Sequence, residues 1–274
     1  MENGIKNHYT SKNLKQRIIK GLEKAKKNPE KLELKDLSLI DQLHTGGHLA
    51  TLNLAKKINI NKNSKILDAG CGIGGSSRLL AKNFKCFVTG IDLVDEFINA
   101  AEFLTKSTNL DNYINFHKGN ILNMNFNDNS FDYIWCQHSL MNIKDKKKLF
   151  LEFKRVLKPK GKLIFHEVFK GKKDIIHLPV PWASMHSISF LITFDEINEL
   201  LKDLNFTCLF YEDLTINAEI WWEKVKQIIK ISDKPKALGP YIIFGKNSFL
   251  FGNNMTANLQ ENRIKVFQSI YTCP

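Results

Sequence analysis

Residues 65 to 75, Lys-Ile-Leu-Asp-Ala-Gly-Cys-Gly-Ile-Gly-Gly, set a short apolar run directly ahead of Gly70, Gly72, Gly74 and Gly75, with one carboxylate, Asp68, at its end. No other segment constrains the fold so tightly. An apolar strand that opens into a glycine turn, and then into a helix beginning at Ser76 and Ser77, is the first half of a βαβ unit. Glycines let the backbone turn sharply and approach a ligand with no Cβ in the way. The helix start aims its free N–H groups at the same point.

The glycine spacing alone leaves two ligands open. Gly70, Gly72 and Gly75 satisfy the dinucleotide spacing G-x-G-x-x-G, whereas Gly70, Gly72 and Gly74 behind Asp68 read as a loop for S-adenosylmethionine. Asp68 separates them. Beside a pyrophosphate a carboxylate adds repulsion; beside a methionyl ammonium it forms a charge-assisted hydrogen bond. A second acid, Asp92, closes the next apolar run about twenty residues on, where a carboxylate accepts both ribose hydroxyls.

Beyond the loop, strands are expected at 65–68, 86–92, 114–117, 131–136, 162–168, 206–211 and 264–271. Helices are expected at 76–83, 95–106, 145–157 and 216–231, with one more from Thr193 onward. Thr193-Phe-Asp-Glu196 is a capping box for that last helix. The turns Asp128-Asn-Ser130 and Pro159-Lys-Gly161 fall at strand starts, and Gly239-Pro240 marks a loop. The alternation predicts an α/β fold, a doubly wound, mostly parallel seven-stranded sheet. Residues 1–62 are expected to form an N-terminal helical cap. Residues 63–274 form the core, with helical insertions near the C-terminus and substrate-covering segments around 169–193 and 214–262.

At 274 residues and 43% hydrophobic composition the chain can bury a full core, which suits one elaborated domain. No apolar run reaches membrane-spanning length, and the polar start from Met1 to Lys6 has no signal-peptide core, so a cytoplasmic location is expected. Five cysteines without metal-type spacing read as reduced thiols, and no metal site is expected. The net charge of +12 is almost all lysine, with arginine only at 17, 78, 155 and 263. Runs at 24–27, 146–148 and 170–173 read as solvated faces rather than a nucleic-acid surface, because arginine is the residue favoured for bidentate phosphate and base contacts.

Several segments together resemble a known family: Asp41-Gln-Leu-His-Thr-Gly-Gly-His-Leu-Ala-Thr51, Leu67 to Gly75, Gln137-His-Ser-Leu-Met-Asn142, His166-Glu-Val168 and Pro179-Val-Pro-Trp-Ala183. They resemble class I S-adenosylmethionine-dependent methyltransferases of the sarcosine/dimethylglycine N-methyltransferase type. Phosphoethanolamine N-methyltransferases are similar too, sharing a tyrosine and threonine matched by Tyr9 and Thr10. In that second family the tyrosine pairs with a histidine after the fourth strand. Here the aligned residue is Asn142, which speaks against phosphoethanolamine as substrate.

The resemblance implies a role for each matched position. Asp68, Gly70 and Gly72 would hold the cofactor's methionyl end and Asp92 its ribose. Asn120 would meet the adenine amino group, with Leu93 and Ile121 on the ring faces. Gln137 ends the fourth strand, where ligands collect in open α/β sheets. Gln42 and His44 would contact the methionyl group, and Tyr9 would close over the sulfonium. For the acceptor, a small amine, His138 or Glu167 would take the proton, with loss to solvent as the alternative. Met141, His166 and Trp182 would line its pocket, and Trp182, Trp221, Trp222 and Tyr211 offer aromatic faces to a cationic product. Methylation of a quinone, phenol or sterol, and dinucleotide chemistry, are the competing readings; the oligomeric state is left open.

Overall fold

The apolar runs become seven strands: β1 (Lys65–Ala69), β2 (Phe87–Asp92), β3 (Ile114–Lys118), β4 (Phe131–Gln137), β5 (Leu157–Lys170), β6 (Thr207–Asp213) and β7 (Ile264–Thr272). The structure is a computed structural model that describes residue 4, residues 8 and 9, and residues 13–231 and 237–274; Thr10 lies outside it. The strands form one sheet in the order β3-β2-β1-β4-β5-β7-β6. The first five are parallel, and β7 runs antiparallel between β5 and β6. The expected mostly parallel seven-stranded sheet is therefore present.

This order has a functional consequence. From β1 the chain winds outward through β2 and β3, then returns to lay β4 on the other side of β1. The two directions part at the carboxyl ends of β1 and β4, which leaves a crevice no crossover covers.

Three helices precede the sheet: α1 (Leu14–Lys24), α2 (Leu34–Asp41) and α3 (Gly47–Ala55). Leu14, Ile18 and Leu22 recur at four-residue spacing, so they share one face of α1 and are fully buried. That face packs in one cluster with Leu37 and Ile40 of α2 and with Phe97 and Leu104 of α5 (Asp95–Ser107). Helix α4 (Gly75–Phe84) joins β1 to β2 and α6 (Lys146–Val156) joins β4 to β5. Helix α7 (Phe194–Asp203) opens on the expected capping box: the Glu196 N–H donates to the Thr193 hydroxyl oxygen, and the Thr193 N–H donates to the Glu196 carboxylate. Between β6 and β7 lie α8 (Thr215–Ile231), the short α9 (Tyr241–Phe244) and α10 (Ser248–Gln260).

Two expectations are corrected. Strand β5 begins at Leu157, five residues early, because Leu157 already pairs with Phe131 before Lys162 pairs with Tyr133. The Pro159-Lys-Gly161 turn is the bulge between these pairs, and Lys160 takes a left-handed φ of 61° within it. The second concerns α10: helical insertions were expected near the C-terminus, but no helix was placed at 248–260. Its buried face mixes Ser248, Gly252, Thr256 and Asn258 with Phe251, Met255 and Leu259, so no apolar stripe marks it, and Gly252 packs so close to α8 that a Cβ would stand 3.0 Å from Lys226 Cα.

Candidate functional site

At the crevice the end of β1 delivers Asp68 and the glycine turn, in which Gly70, Gly72 and Gly74 all have positive φ. The end of β2 delivers Asp92. Its Oδ2 accepts the Gly72 N–H and its Oδ1 accepts the Val94 N–H, both at 2.9 Å. Asp68 is 2% exposed, and its Oδ2 accepts the Ser77 hydroxyl at 2.5 Å. Burial pushes the Asp68 carboxyl up to about 6 and raises Asp92 as well. Two carboxylates are thus held at neighbouring strand ends in a poorly solvated place.

Behind the turn α4 starts against the cap. A Cβ on Gly75 would stand 1.9 Å from the Asp41 carbonyl oxygen, so only glycine lets the two segments meet. Asp41 is paired with the fully buried Arg78 of α4 at 3.2 Å, which ties α2 to the loop's own helix. One oxygen of Asp41 and the side-chain oxygen of Gln42 are buried there without a hydrogen-bond partner in the protein.

The end of β4 carries a polar network. Gln137 Oε1 accepts from the Thr51 hydroxyl, the Ser76 hydroxyl and the Trp135 indole N–H, at 2.9 to 3.0 Å. That orientation makes Gln137 Nε2 the donor to His166 Nδ1, 2.9 Å away. Thr51 spends its only proton on Gln137, so it accepts from His44 Nε2, which also donates to the Gly47 carbonyl. The rings of His44, His138 and His166 meet with centroids 5.0 to 6.0 Å apart. Burial holds His44 at about 4 and His166 at about 3, and lowers His138 well below the usual imidazole range. All three are neutral near pH 7.

The cavity is closed by distant segments. Tyr9 donates its hydroxyl to Asn142 Oδ1 at 2.9 Å, and Asn142 Nδ2 donates to the carbonyls of Trp182 and Ile188 at 2.8 and 2.9 Å. The Tyr9 ring packs edge-on against Phe97 and tilts against Phe244.

Of the residues nominated from sequence, Tyr9, His44, Asp68, Gly70, Gly72, Asp92, Leu93, Asn120, Ile121, Gln137, His138, Met141 and Trp182 line one cavity. Gln42, His166 and Glu167 do not. Gln42 lies against α4, and His166 stands behind Gln137. Glu167 is corrected more sharply: it is fully buried, and its two oxygens accept the N–H groups of Ser139 at 2.9 Å and Leu140 at 3.2 Å. Those bonds brace the turn where His138 adopts a left-handed φ of 55°. Trp221 and Trp222 also fall outside the lining; Trp222 donates its indole N–H to Thr45, and Tyr211 is 61% exposed on β6. Asp41, Ser76, Phe97 and Phe244 line the cavity without having been nominated. Only the hydroxyl of Ser76, at the helix start, carried a sequence signal.

Residues 67–165 match the family described as Methyltransferase domain. The sheet around that segment has the seven-stranded arrangement of the class I methyltransferase fold. The chain is 32% identical over 176 residues to phosphoethanolamine N-methyltransferase 1 of Arabidopsis thaliana, a match covering 62% of this chain and 34% of that one. It is 31% identical over 125 residues to the glycine/sarcosine/dimethylglycine N-methyltransferase of Actinopolyspora halophila, covering 46% of this chain and 22% of that one. The chain therefore matches about a third or less of the length of either relative. The same fold is found in the Haemonchus contortus phosphoethanolamine N-methyltransferase 2 complex with phosphomonomethylethanolamine and S-adenosylhomocysteine, at TM-score 0.71 and 21% identity, covering 85% of this chain and 55% of that one. Among the described residues no helix is long and apolar enough to cross a membrane, and no cluster of three or more His, Cys, Asp or Glu could hold a metal ion.

Proposed function

We propose that this chain transfers the methyl group of S-adenosylmethionine to a small amine. One observation carries the choice of donor. The Gly72 N–H, which a dinucleotide loop would turn toward a pyrophosphate, is given instead to the Asp92 carboxylate. An anionic ligand would meet Asp68 and Asp92 head on, whereas a cationic adenosyl donor would neutralise them. The unpartnered buried oxygen of Asp41, which lines the cavity, fits the same donor, because it lacks an N–H that an ammonium supplies.

On this reading Asp92 holds the ribose, and Asn120, Leu93 and Ile121 hold the adenine. Asp68 and Gly70, with His44, hold the methionyl end, and Gln42, outside the lining, has no direct contact in this reading. Helices α1 to α3 act as a cap within residues 1–62, and Tyr9 closes over the donor. When bound, the donor supplies an electrophilic methyl carbon on a sulfonium. The protein's share is to place a neutral nucleophile in line with that carbon and exclude water. Met141, His138 and Trp182 form the wall where the acceptor would stand.

For the acceptor, the family resemblance and the glycine/sarcosine/dimethylglycine relative support an N-methyl amine such as sarcosine or dimethylglycine, on the route to betaine. Asn142, in place of the histidine of the phosphoethanolamine type, argues against a phosphorylated amine. Among the described lining residues none is lysine or arginine, so recognition rests on the amine end of the acceptor. The test is to incubate the protein with labelled S-adenosylmethionine and sarcosine, dimethylglycine, a carboxylate-free amine, phosphoethanolamine and a phenol or quinol. Label on an amine supports the reading; label only on the phenol or quinol overturns its acceptor half.

A further inference from the structure

We propose that Lys146 is a positioning residue for the acceptor: its ammonium, bonded to the carbonyls of Leu140, Ile143 and Phe190, locks two separate stretches of chain into one wall of the cavity. The role assigned to Lys146 rests on the amine reading above and deepens it.

Lys146 opens α6 beside Lys147 and Lys148, in a run whose composition reads as a solvated face, yet it is 7% exposed. Burying an ammonium is costly unless its donors are met. Here all three are met: Nζ donates to the carbonyls of Leu140 and Phe190, both at 2.9 Å, and to that of Ile143. Burial lowers the group to about 8 against the pull of Glu167, so it stays mostly protonated at pH 7. The helix gains nothing from this cation, because a positive charge in the first turn is opposed by the macrodipole. Its cap is Asp145, which accepts the Lys148 N–H at 2.9 Å. The charge is therefore held for the carbonyls it reaches.

Those carbonyls belong to stretches far apart in sequence. Leu140 and Ile143 flank Met141 and Asn142 in the turn after β4, which brings His138, Met141 and Asn142 into the lining. Phe190 ends the segment that begins with Pro181 and Trp182, both also in the lining. The Phe190 N–H donates to the Met141 carbonyl at 2.7 Å, and Asn142 Nδ2 donates to the carbonyls of Trp182 and Ile188. Leu140 is gripped from both sides, its N–H by Glu167 Oε2 at 3.2 Å and its carbonyl by Lys146. Lys146 itself does not line the cavity. Acting through backbone groups, it fixes the spacing between Met141 and Trp182, where the acceptor would stand. The donor's cradle at the ends of β1 and β2 takes no bond from it. Its loss should therefore misplace the acceptor and spare the donor.

Methionine at this position keeps the length of the side chain and removes its donors. The Lys146→Met protein is expected to bind S-adenosylhomocysteine within about twofold of wild type, while kcat/KM for sarcosine or dimethylglycine, whichever takes the label, falls by about one to two orders of magnitude. Val156→Ala, a truncation of a fully buried side chain at the far end of α6, is expected to leave both quantities near wild type. A wild-type kcat/KM in Lys146→Met, a loss of S-adenosylhomocysteine affinity as large as the loss of turnover, or an equal fall in Val156→Ala would each overturn the assignment.

Amide hydrogen exchange with S-adenosylhomocysteine bound gives a readout independent of turnover. In Lys146→Met the amides of Asn142, Ile143 and Phe190 should exchange faster, and those of Gly74 and Arg78 beside the donor should not change. Unchanged exchange at Phe190, or equal acceleration at Gly74, would overturn the assignment. If the methionine variant does not fold, Lys146→Gln, whose amide has two N–H donors for three carbonyls, is held to the same outcomes. If neither amine is methylated, the acceptor reading fails, while exchange still decides whether Lys146 joins the two stretches.

Discussion

The carboxylate of Asp92 and the amide of Gly72 are joined by a 2.9 Å hydrogen bond, so the end of one strand fixes the turn that leaves its neighbour. That bond turns the loop's N–H inward and leaves carboxylate at the surface a ligand would meet. A glycine loop held by an acid selects a different ligand from one held open for phosphate.

Replacing Asp92 with alanine is expected to weaken S-adenosylhomocysteine binding by about 2–3 kcal/mol, since charge-assisted bonds to ribose are lost together with the loop anchor. Titration calorimetry checks this. Unchanged affinity would remove Asp92 from the nucleoside site.

Asp68 provides a pH test. Its folded value of about 6 lies above the ordinary 3.8 because burial disfavours the charged form. A carboxyl raised in this way keeps its proton longer in the folded state, so its contribution to stability is lost as pH rises from about 4 through about 6. In the ligand-free protein Asp68→Asn is therefore expected to be more stable than wild type at pH 7, by about 1–3 kcal/mol in urea titrations. The same change should weaken S-adenosylhomocysteine binding at pH 7. It should also remove the loss of affinity expected of wild type as pH falls below about 6.

The Asp41–Arg78 pair is fully enclosed, with side chains 3% and 0% exposed. Asp41→Ala strands a buried guanidinium and is expected to cost about 3–5 kcal/mol, whereas the double change Asp41→Leu, Arg78→Met should cost much less. Denaturant midpoints of the three proteins test this; equal losses for single and double variants would contradict it.

Gly75→Ala places a methyl 1.9 Å from the Asp41 carbonyl oxygen. The backbone must move, at an expected cost of about 1–3 kcal/mol. The shift would reach both the cap and the glycine turn, so thermal stability and S-adenosylhomocysteine affinity should fall together. Loss of one without the other would separate the two segments.

Much of this was legible in the chain. The seven strands announce themselves as short apolar runs with Gly, Pro or Asn punctuation, and the acids at 68 and 92 stand at strand ends where position alone gives them meaning. Helix α10 was hidden because its buried face mixes polar with apolar residues, so no apolar stripe marks it. Glu167 shows the limit of reading chemistry from residue type. It sits next to a nominated histidine near a strand end, as a proton acceptor would, yet its depth and its two N–H partners emerge only when β4 and β5 pair. The Tyr9–Asn142 bond joins residues 133 positions apart, and the Asp41–Arg78 pair joins residues 37 apart. No local period records such meetings.

Thermal unfolding with added ligand tests the central claim most directly. S-adenosylhomocysteine at a concentration well above its dissociation constant should raise the melting temperature, and NAD at the same concentration should not. Stabilisation by NAD with no response to S-adenosylhomocysteine would contradict the account.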